Sequence, residues 1–279
     1  MMTCKMALRQ AEETLATAGV PDAKVDAWYL FEHITGMNRA SYFLHNMDAM
    51  EEEQVKKLQD LTEQRAQRIP LQYITGSQEF MGYSFLVSPA TLIPRQDTEI
   101  LVEEVSRVAE GKRVLDLCTG TGCILLSLAK MCRLAKAVGT DISTEAIETA
   151  KKNAGCLQAE AEFYCGDLFE AVPQGMRFDI IVSNPPYIPS AVIDTLMPEV
   201  KEHEPMSALD GDADGLKFYR EIIKNANKFL TEQGQIFFEI GCEQGADVSA
   251  LLAENGFQNI RVIKDLAGLD RVVSATRAK

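Results

Sequence analysis

The chain is expected to fold as a doubly wound, mostly parallel α/β sheet preceded by a small all-helical domain, and three features of the sequence point there. Apolar residues recur at helical spacing through residues 1–70. Short apolar, strand-like runs alternate with helical segments from Lys112 onward. Between the two, a stretch around Gly82 has the alternation of a β-hairpin. The implied organisation is a helical domain at 1–72, a hairpin linker at 73–98 and a sheet domain at 99–279.

In the first part, Leu8, Ala11, Leu15 and Ala18 form one helical stripe. Pro21 is placed as a first-turn proline of a second helix, which turns Ala27, Leu30, Phe31 and Ile34 inward and stops at Gly36. A third helix is expected to start at Asp48, with Glu51 completing a capping box, and to carry Val55, Leu58 and Leu61 inward until Pro70. Phe80, Tyr83, Phe85 and Val87 then read as the hairpin. The strand-like runs are Arg113–Leu117, Ala137–Thr140, Ala161–Tyr164, Asp179–Ser183, Gln235–Ile240 and Ile260–Ile263. Helical patterns between most of them imply parallel neighbours. In such sheets ligands sit beyond the carboxyl ends of the strands, so the chemistry is sought there.

Composition narrows the partners. With 46% hydrophobic and 25% charged residues and no repeat, the chain reads as an ordinary globular protein. No secretion leader is evident, and no stretch approaches the roughly 18 apolar residues of a membrane span, so a soluble cytoplasmic protein is expected. The seven cysteines form no C-x-x-C pair, and the three histidines have no metal spacing, so no metal is implied. A net charge of −13 without a basic stripe disfavours binding nucleic acid by its phosphates. It favours a small molecule or a basic protein surface, although acidity also serves plain solubility.

After the first strand comes Asp116-Leu117-Cys118-Thr119-Gly120-Thr121-Gly122, followed by an apolar helix from Cys123. Gly120 and Gly122 allow a tight turn and close approach of a ligand to bare backbone, and the helix turns its amides toward that ligand. Asp141 ends the next strand, where a carboxylate can take both hydroxyls of a ribose. A dinucleotide site wants G-x-G-x-x-G, whereas this chain runs Gly120-x-Gly122-x-x-Leu125 with an acid at Asp116. Asp116 is expected to hold the loop or the amino group of a methionine moiety.

The fourth strand runs directly into Asn184-Pro185-Pro186-Tyr187. Two prolines make a rigid arch with free carbonyls. The Asn184 side-chain oxygen and the Pro185 carbonyl can each accept one hydrogen of an –NH₂ group, and Tyr187 offers a flat face for a planar acceptor. Asn-Pro alone is a common turn opener. With the cofactor loop one βαβαβ unit earlier, the tetrad points to methyl transfer from S-adenosyl-L-methionine to a planar amide or amino nitrogen. Such a nitrogen is activated by orientation, and it loses its proton after attack, so no general base is needed.

With these residues in view the sequence resembles the bacterial-type release-factor glutamine methyltransferases over nearly its whole length. The shared segments include Pro70-Leu71-Gln72-Tyr73-Ile74-Thr75-Gly76, Ile93-Pro94-Arg95-Gln96-Asp97-Thr98-Glu99, the two motifs above, Glu204-Pro205, Ala208-Leu209-Asp210-Gly211, Asp214-Gly215-Leu216, Tyr219-Arg220, Glu239-Ile240-Gly241 and Asp265-Leu266-Ala267-Gly268 with Asp270-Arg271. The resemblance implies a Rossmann-like class I methyltransferase sheet and S-adenosyl-L-homocysteine as product. It also implies, as substrate, the glutamine amide in the Gly-Gly-Gln motif of class 1 peptide chain release factors. The helical domain would help hold that factor, and a monomer without bound nucleic acid or membrane is expected. Residues 118–122, Asp141 and Asn184 carry over as cofactor contacts, and Asn184 to Tyr187 as the glutamine clamp.

Three positions depart from the family. Cys118 stands where a glycine is usual and is expected to keep a backbone conformation that does not need glycine, and Gln96 replaces a proline. Leu168 occupies a position often aromatic beside the adenine, while Asp167 is available to its amino group. Adenine and cytosine amino-methyltransferases of nucleic acid share the tetrad and are the alternative reading, but they need a basic recognition region. A non-catalytic partner-binding protein is disfavoured by the intact Asp116, Gly120, Gly122, Asp141 and Asn184.

Overall fold

The computed structural model describes residues 1–278. They form two compact units: one of Met1–Gly76 together with Met197–His203, the other of Ser77–Leu196 together with Glu204–Lys279.

The first unit is helical. Its chain-order elements are α1 (Cys4–Thr17), α2 (Ala23–Thr35), α3 (Arg39–His45), α4 (Glu52–Ala66) and α5 (Leu71–Thr75). Leu15, Ala27, Leu30, Phe31 and Leu58 close its core, and Gly36, at φ 68°, ends α2 in the left-handed turn that a glycine cap permits. Local expectations fail in three places. Pro21 precedes the N-cap Asp22 and so lies outside the helix. Asp48 caps nothing; its carboxylate takes His45 Nδ1 at 2.8 Å, and α4 starts after Glu51 without a side-chain cap. Helix α3 has no stripe to betray it, because none of its residues is buried and Phe43 and Leu44 are about four-fifths exposed, at 79% and 78%. Asn38 starts it by accepting from the Ser41 amide at 2.9 Å.

A buried ion cluster ties 197–203 into this unit. Arg65 donates to Asp26 at 2.7 Å and to Glu199 at 2.8 Å, and Arg68 reaches the other Glu199 oxygen at 2.6 Å. Burial would raise the Glu199 carboxyl, but the Arg68 and Arg65 guanidiniums hold it at about 2.

The second unit begins with the hairpin β1 (Ser77–Phe80) and β2 (Tyr83–Leu86), whose Phe80 and Phe85 are buried in its core. There follow α6 (Gln96–Ala109), β3 (Arg113–Leu117), α7 (Cys123–Met131), β4 (Lys136–Asp141), α8 (Thr144–Leu157), β5 (Glu162–Cys165), β6 (Phe178–Ser183) and α9 (Ser190–Ile193). Helix α10 (Pro198–His203) lies in the segment already assigned to the helical unit. The chain continues with α11 (Lys217–Ala226), β7 (Leu230–Glu239), α12 (Gly245–Glu254), β8 (Phe257–Lys264) and β9 (Asp270–Arg277).

The seven strands lie in the order β5-β4-β3-β6-β7-β9-β8. The first five are parallel, and β9 runs antiparallel to both β7 and β8. Successive residues of β3 and β6 feed opposite layers: Leu115 and Ile181 join Tyr219 and Ile223 of α11, while Val114 and Ile180 join Leu101 of α6 and Leu125 of α7. This is the doubly wound sheet expected, with β9 an addition. The strand order reverses between β4 and β6 on either side of β3, and there the carboxyl ends of neighbouring strands part to leave a crevice. No described helix is long and apolar enough to cross a membrane.

Candidate active site

A cavity of about 330 Å³ opens at that crevice, within the range of small-molecule sites. Its floor is the loop after β3. Cys118, Gly120 and Gly122 all have positive φ, at 59°, 56° and 78°. Cys118 therefore corrects the sequence expectation: it takes the left-handed conformation that glycine would adopt at little cost, at a strain of roughly 1–2 kcal/mol for a side chain. Burial pushes its thiol far up, so it stays protonated. At Gly122 a Cβ would sit 3.1 Å from Leu126 Cδ1 and 3.3 Å from Ala150 Cβ, so the close packing of α7 and α8 also wants glycine there.

The loop is held from both sides. The Thr119 hydroxyl donates to Asp116 Oδ2 at 2.5 Å, and the Thr119 amide donates to Thr140 O at 2.9 Å. Asp141 accepts from the Gly120 amide at 2.8 Å through Oδ2 and from the Ser143 amide at 3.0 Å through Oδ1. Burial raises the Asp141 carboxyl, and those amides pull it back. Asp116 is wholly buried, and its Oδ1 has no hydrogen-bond partner among the described residues. Burial pushes it up to about 7.

Cys118, Thr119, Gly120, Thr121, Asp141, Asp167, Leu168, Asn184 and Pro186 all line the cavity; Asp116, Gly122, Pro185 and Tyr187 do not. Asp116 thus touches the loop rather than the space above it. Leu168, at φ 43°, opens a 3₁₀ turn after β5 and brings itself and Asp167 to the wall.

The tetrad leaves the end of β6, next to the loop because β3 and β6 are paired. The Ser183 hydroxyl donates to Leu117 O at 2.7 Å and fastens the two strand ends. Asn184 Nδ2 donates to Thr98 Oγ1 at 3.4 Å. The Tyr187 hydroxyl donates to Glu239 Oε1 at 3.3 Å, and the Tyr187 carbonyl takes Gln244 Nε2 at 3.0 Å. Burial and the neighbouring Glu239 keep the Tyr187 phenol protonated. The segment 211–215 closes over this arch: a Cβ on Gly215 would lie 2.3 Å from Tyr187 O, and one on Gly211 2.8 Å from Tyr187 Cα. Those two glycines belong to shared segments for which the sequence supplied no role.

Glu239, the last residue of β7, is 2% exposed; its Oε2 has no hydrogen-bond partner among the described residues. Burial pushes it up to about 7, against the opposing pull of the Thr98 hydroxyl and Arg271. The sequence gives no role to Glu239, which lies outside the cavity lining, nor to the wall residues Thr98, Pro94, Arg95, Ile142, Met206 and Phe218. Ile142 carries a usable signal, since a large apolar residue directly follows Asp141, and the structure leaves it 64% exposed. Arg95 is fixed by an ion pair to the buried Glu204, which joins two further shared segments to which the sequence gives no role. No group of three or more His, Cys, Asp or Glu able to hold a metal exists among the described residues.

A doubly wound sheet with a glycine loop after its first parallel strand, an acid closing the second and Asn-Pro-Pro-Tyr closing the fourth defines a Rossmann-like methyltransferase. The PrmC N-terminal domain profile matches residues 6–76, and that of the methyltransferase small domain matches residues 95–199. A methyltransferase from Pyrococcus furiosus shares the fold, with a TM-score of 0.54 and 15% identity over 70% of this chain and 89% of its own. Release factor glutamine methyltransferase of Agrobacterium fabrum is 42% identical over 99% of this chain and 98% of its own. The same enzyme of Geobacter sulfurreducens is 42% identical over 93% and 91%. The chain belongs to the release factor glutamine methyltransferase family.

Proposed function

We propose that the chain transfers the methyl group of S-adenosyl-L-methionine to the side-chain amide nitrogen of the glutamine in the Gly-Gly-Gln motif of class 1 peptide chain release factors. The observation that carries this reading is the placement of Asn184. It stands on the wall of the cavity with its Nδ2 turned to Thr98, which leaves Oδ1 for an incoming –NH₂ group.

The residues present suit the cofactor. The bent loop leaves Gly120 and Thr121 on the wall ahead of the first turn of α7, a setting that accepts a carboxylate. Each Asp141 oxygen accepts one amide and keeps a lone pair, so two ribose hydroxyls can be added while the carboxylate still holds the loop. Ile142 and Leu168 give the adenine apolar faces, and Asp167 is an acceptor for its amino group. Asp116 holds Thr119, and through it the loop, without touching the ligand.

When bound, the cofactor supplies a methyl group on a positively charged sulfur, whose transfer disperses charge. The chain's own residues supply orientation. Asn184 Oδ1 on the cavity wall accepts one hydrogen of the glutamine –NH₂, and the resemblance assigns the other to the carbonyl of Pro185, which lies outside the cavity lining; together they fix the plane of the group and return electron density to the nitrogen. Tyr187, held by Glu239 and Gln244, braces the arch from beneath. Positioning of this kind supplies several kcal/mol of the roughly 7–11 available from orientation. The nitrogen sheds its proton after attack, when it has become acidic.

The helical unit serves to grip the release factor, and the net charge of −13 suits a basic protein partner better than a nucleic acid. The site works as a monomer in the cytoplasm. The test is radiolabelled methyl transfer offered to three acceptors: an intact release factor, its Gln→Ala variant and duplex DNA. Label is expected in the first alone. Label in the DNA, or in the Gln→Ala factor, sinks the reading.

A further inference from the structure

An amide side chain has two ends of nearly the same shape, and only its hydrogen-bond partners decide which end faces a ligand. Asn184 clamps the substrate only with its oxygen outward; flipped, it would oppose one –NH₂ group with another. What turns it the right way is Thr98, the third residue of α6, whose Oγ1 takes Asn184 Nδ2. A hydroxyl can donate as well as accept, so Thr98 alone does not choose. It becomes an obligatory acceptor only when its own hydrogen is committed elsewhere.

The buried Glu239 Oε2 accepts no hydrogen bond among the described residues, which leaves it as the acceptor available for that hydrogen. In the parallel ladder Ser183 pairs with Phe238, so Asn184 and Glu239 are the next residues on adjoining strands. Thr98 stands beside Glu239 and favours its ionised form, while Glu239 Oε1 takes the Tyr187 hydroxyl at 3.3 Å and Oε2 stays without a partner among the described residues. We infer that Thr98 and Glu239 are positioning residues: the carboxylate commits the Thr98 proton, Thr98 then accepts from Asn184, and the Asn184 oxygen is left facing the substrate. The inference rests on the proposed role of Asn184 as the clamp.

Ionised, Glu239 only accepts; protonated, it donates and frees Thr98 to donate to Asn184 in the flipped orientation. Several groups bear on its charge. Thr98 and Asp97 come from α6, Arg271 from β9 and Tyr187 from the tetrad; Tyr219 of α11 and Cys123 of α7 also sense it. Arg271 favours the anion and Asp97 opposes it, while burial leaves the carboxyl at about 7.

The experiment compares wild-type, Thr98→Val, Thr98→Ser and Glu239→Gln enzymes in single-turnover methylation of an intact release factor between pH 6 and pH 9. Calorimetric affinity for S-adenosylhomocysteine and a thermal melt are measured alongside. Thr98→Val is expected to lower the methyl-transfer rate roughly 10- to 100-fold, with cofactor affinity and melting little changed, and Thr98→Ser to restore most of the rate. The wild-type rate should climb with pH through about 7. Glu239→Gln, fixed in the neutral form, should be slow and flat over that range. Asp116, the other buried carboxyl near 7, is a competing source of such a climb, and Glu239→Gln separates the two. A Thr98→Val enzyme as fast as wild type, or a climb that survives in Glu239→Gln, overturns the inference and leaves the clamp standing. Wild-type enzyme that methylates the Gln→Ala factor overturns the clamp itself.

Discussion

In the helical unit Asp26, Arg65 and Glu199 are buried together, each carboxylate on a guanidinium, and Glu199 is held at about 2. In the sheet unit Asp116 and Glu239 are buried at least as deeply, yet each keeps one oxygen without a partner and lies at about 7. The same side-chain chemistry serves two ends. A carboxylate saturated by arginine is fixed in charge and shape and stitches chain segments together. A carboxylate left short of partners is destabilised by its burial, and such groups gather where a site needs polar groups poised to accept. The two that do so here lie under the cofactor loop and under the tetrad.

That contrast can be broken at several points. The largest effect is expected at the clamp: Asn184→Ala should slow methyl transfer by a factor of roughly 10² or more, with the fold retained and cofactor affinity only moderately reduced. Asn184→Asp, which can still accept, should lose less. A single-turnover rate within a fewfold of wild type for Asn184→Ala would remove the residue from the mechanism.

On the structural side, Glu199→Gln should cost the helical unit about 3 kcal/mol, the low end for a broken buried pair, because Arg65 keeps Asp26. The sign of the pH dependence follows. Glu199 drops from an ordinary 4.5 to about 2 on folding, so its contribution is complete above about 4.5 and disappears as pH falls toward 2. Glu239 has the opposite sign. Raised to about 7, it subtracts stability as pH climbs from about 4.5 to 7, so Glu239→Gln should be at least as stable as wild type at pH 8. Urea titrations of wild type and both variants at pH 3, pH 5 and pH 8 check the pair, the lower interval reading Glu199 and the upper one Glu239; equal responses would erase the distinction between the two kinds of buried carboxylate.

Asp141→Ala should weaken cofactor binding by about 1.5–3 kcal/mol, measured by calorimetry. Cys118→Gly is expected to have the smallest effect, a gain in stability of less than about 1 kcal/mol from relief of the left-handed strain, read from thermal melts.

Much of this was legible in the sequence wherever a local pattern is also a structural one. Arg113 to Leu117 is the strand it reads as, and the glycine loop, Asp141 and Asn184 stand at the carboxyl ends of adjoining strands because parallel pairing puts them there. What stayed hidden depends on partners distant along the chain. β9 buries only Val272, Val273, Ser274 and Ala275 between polar flanks, too short a run to announce a strand. Asp48 and Glu51 have the spacing of a capping box, but Asp48 bonds to His45 instead. Glu239 and Thr98 acquire meaning only when β7 is laid beside β6 with α6 above their ends, a register that no single motif contains.

The nitrogen that receives the methyl group is that of the glutamine side-chain amide, and its identity can be read directly. A release factor incubated with the protein and S-adenosylmethionine, then digested and fragmented in a tandem mass spectrometer, should carry one added methyl. Fragment ions should place it on the side-chain amide of the Gly-Gly-Gln glutamine. A methyl mapped to any other residue, or an unmodified glutamine after full conversion of cofactor, would contradict it.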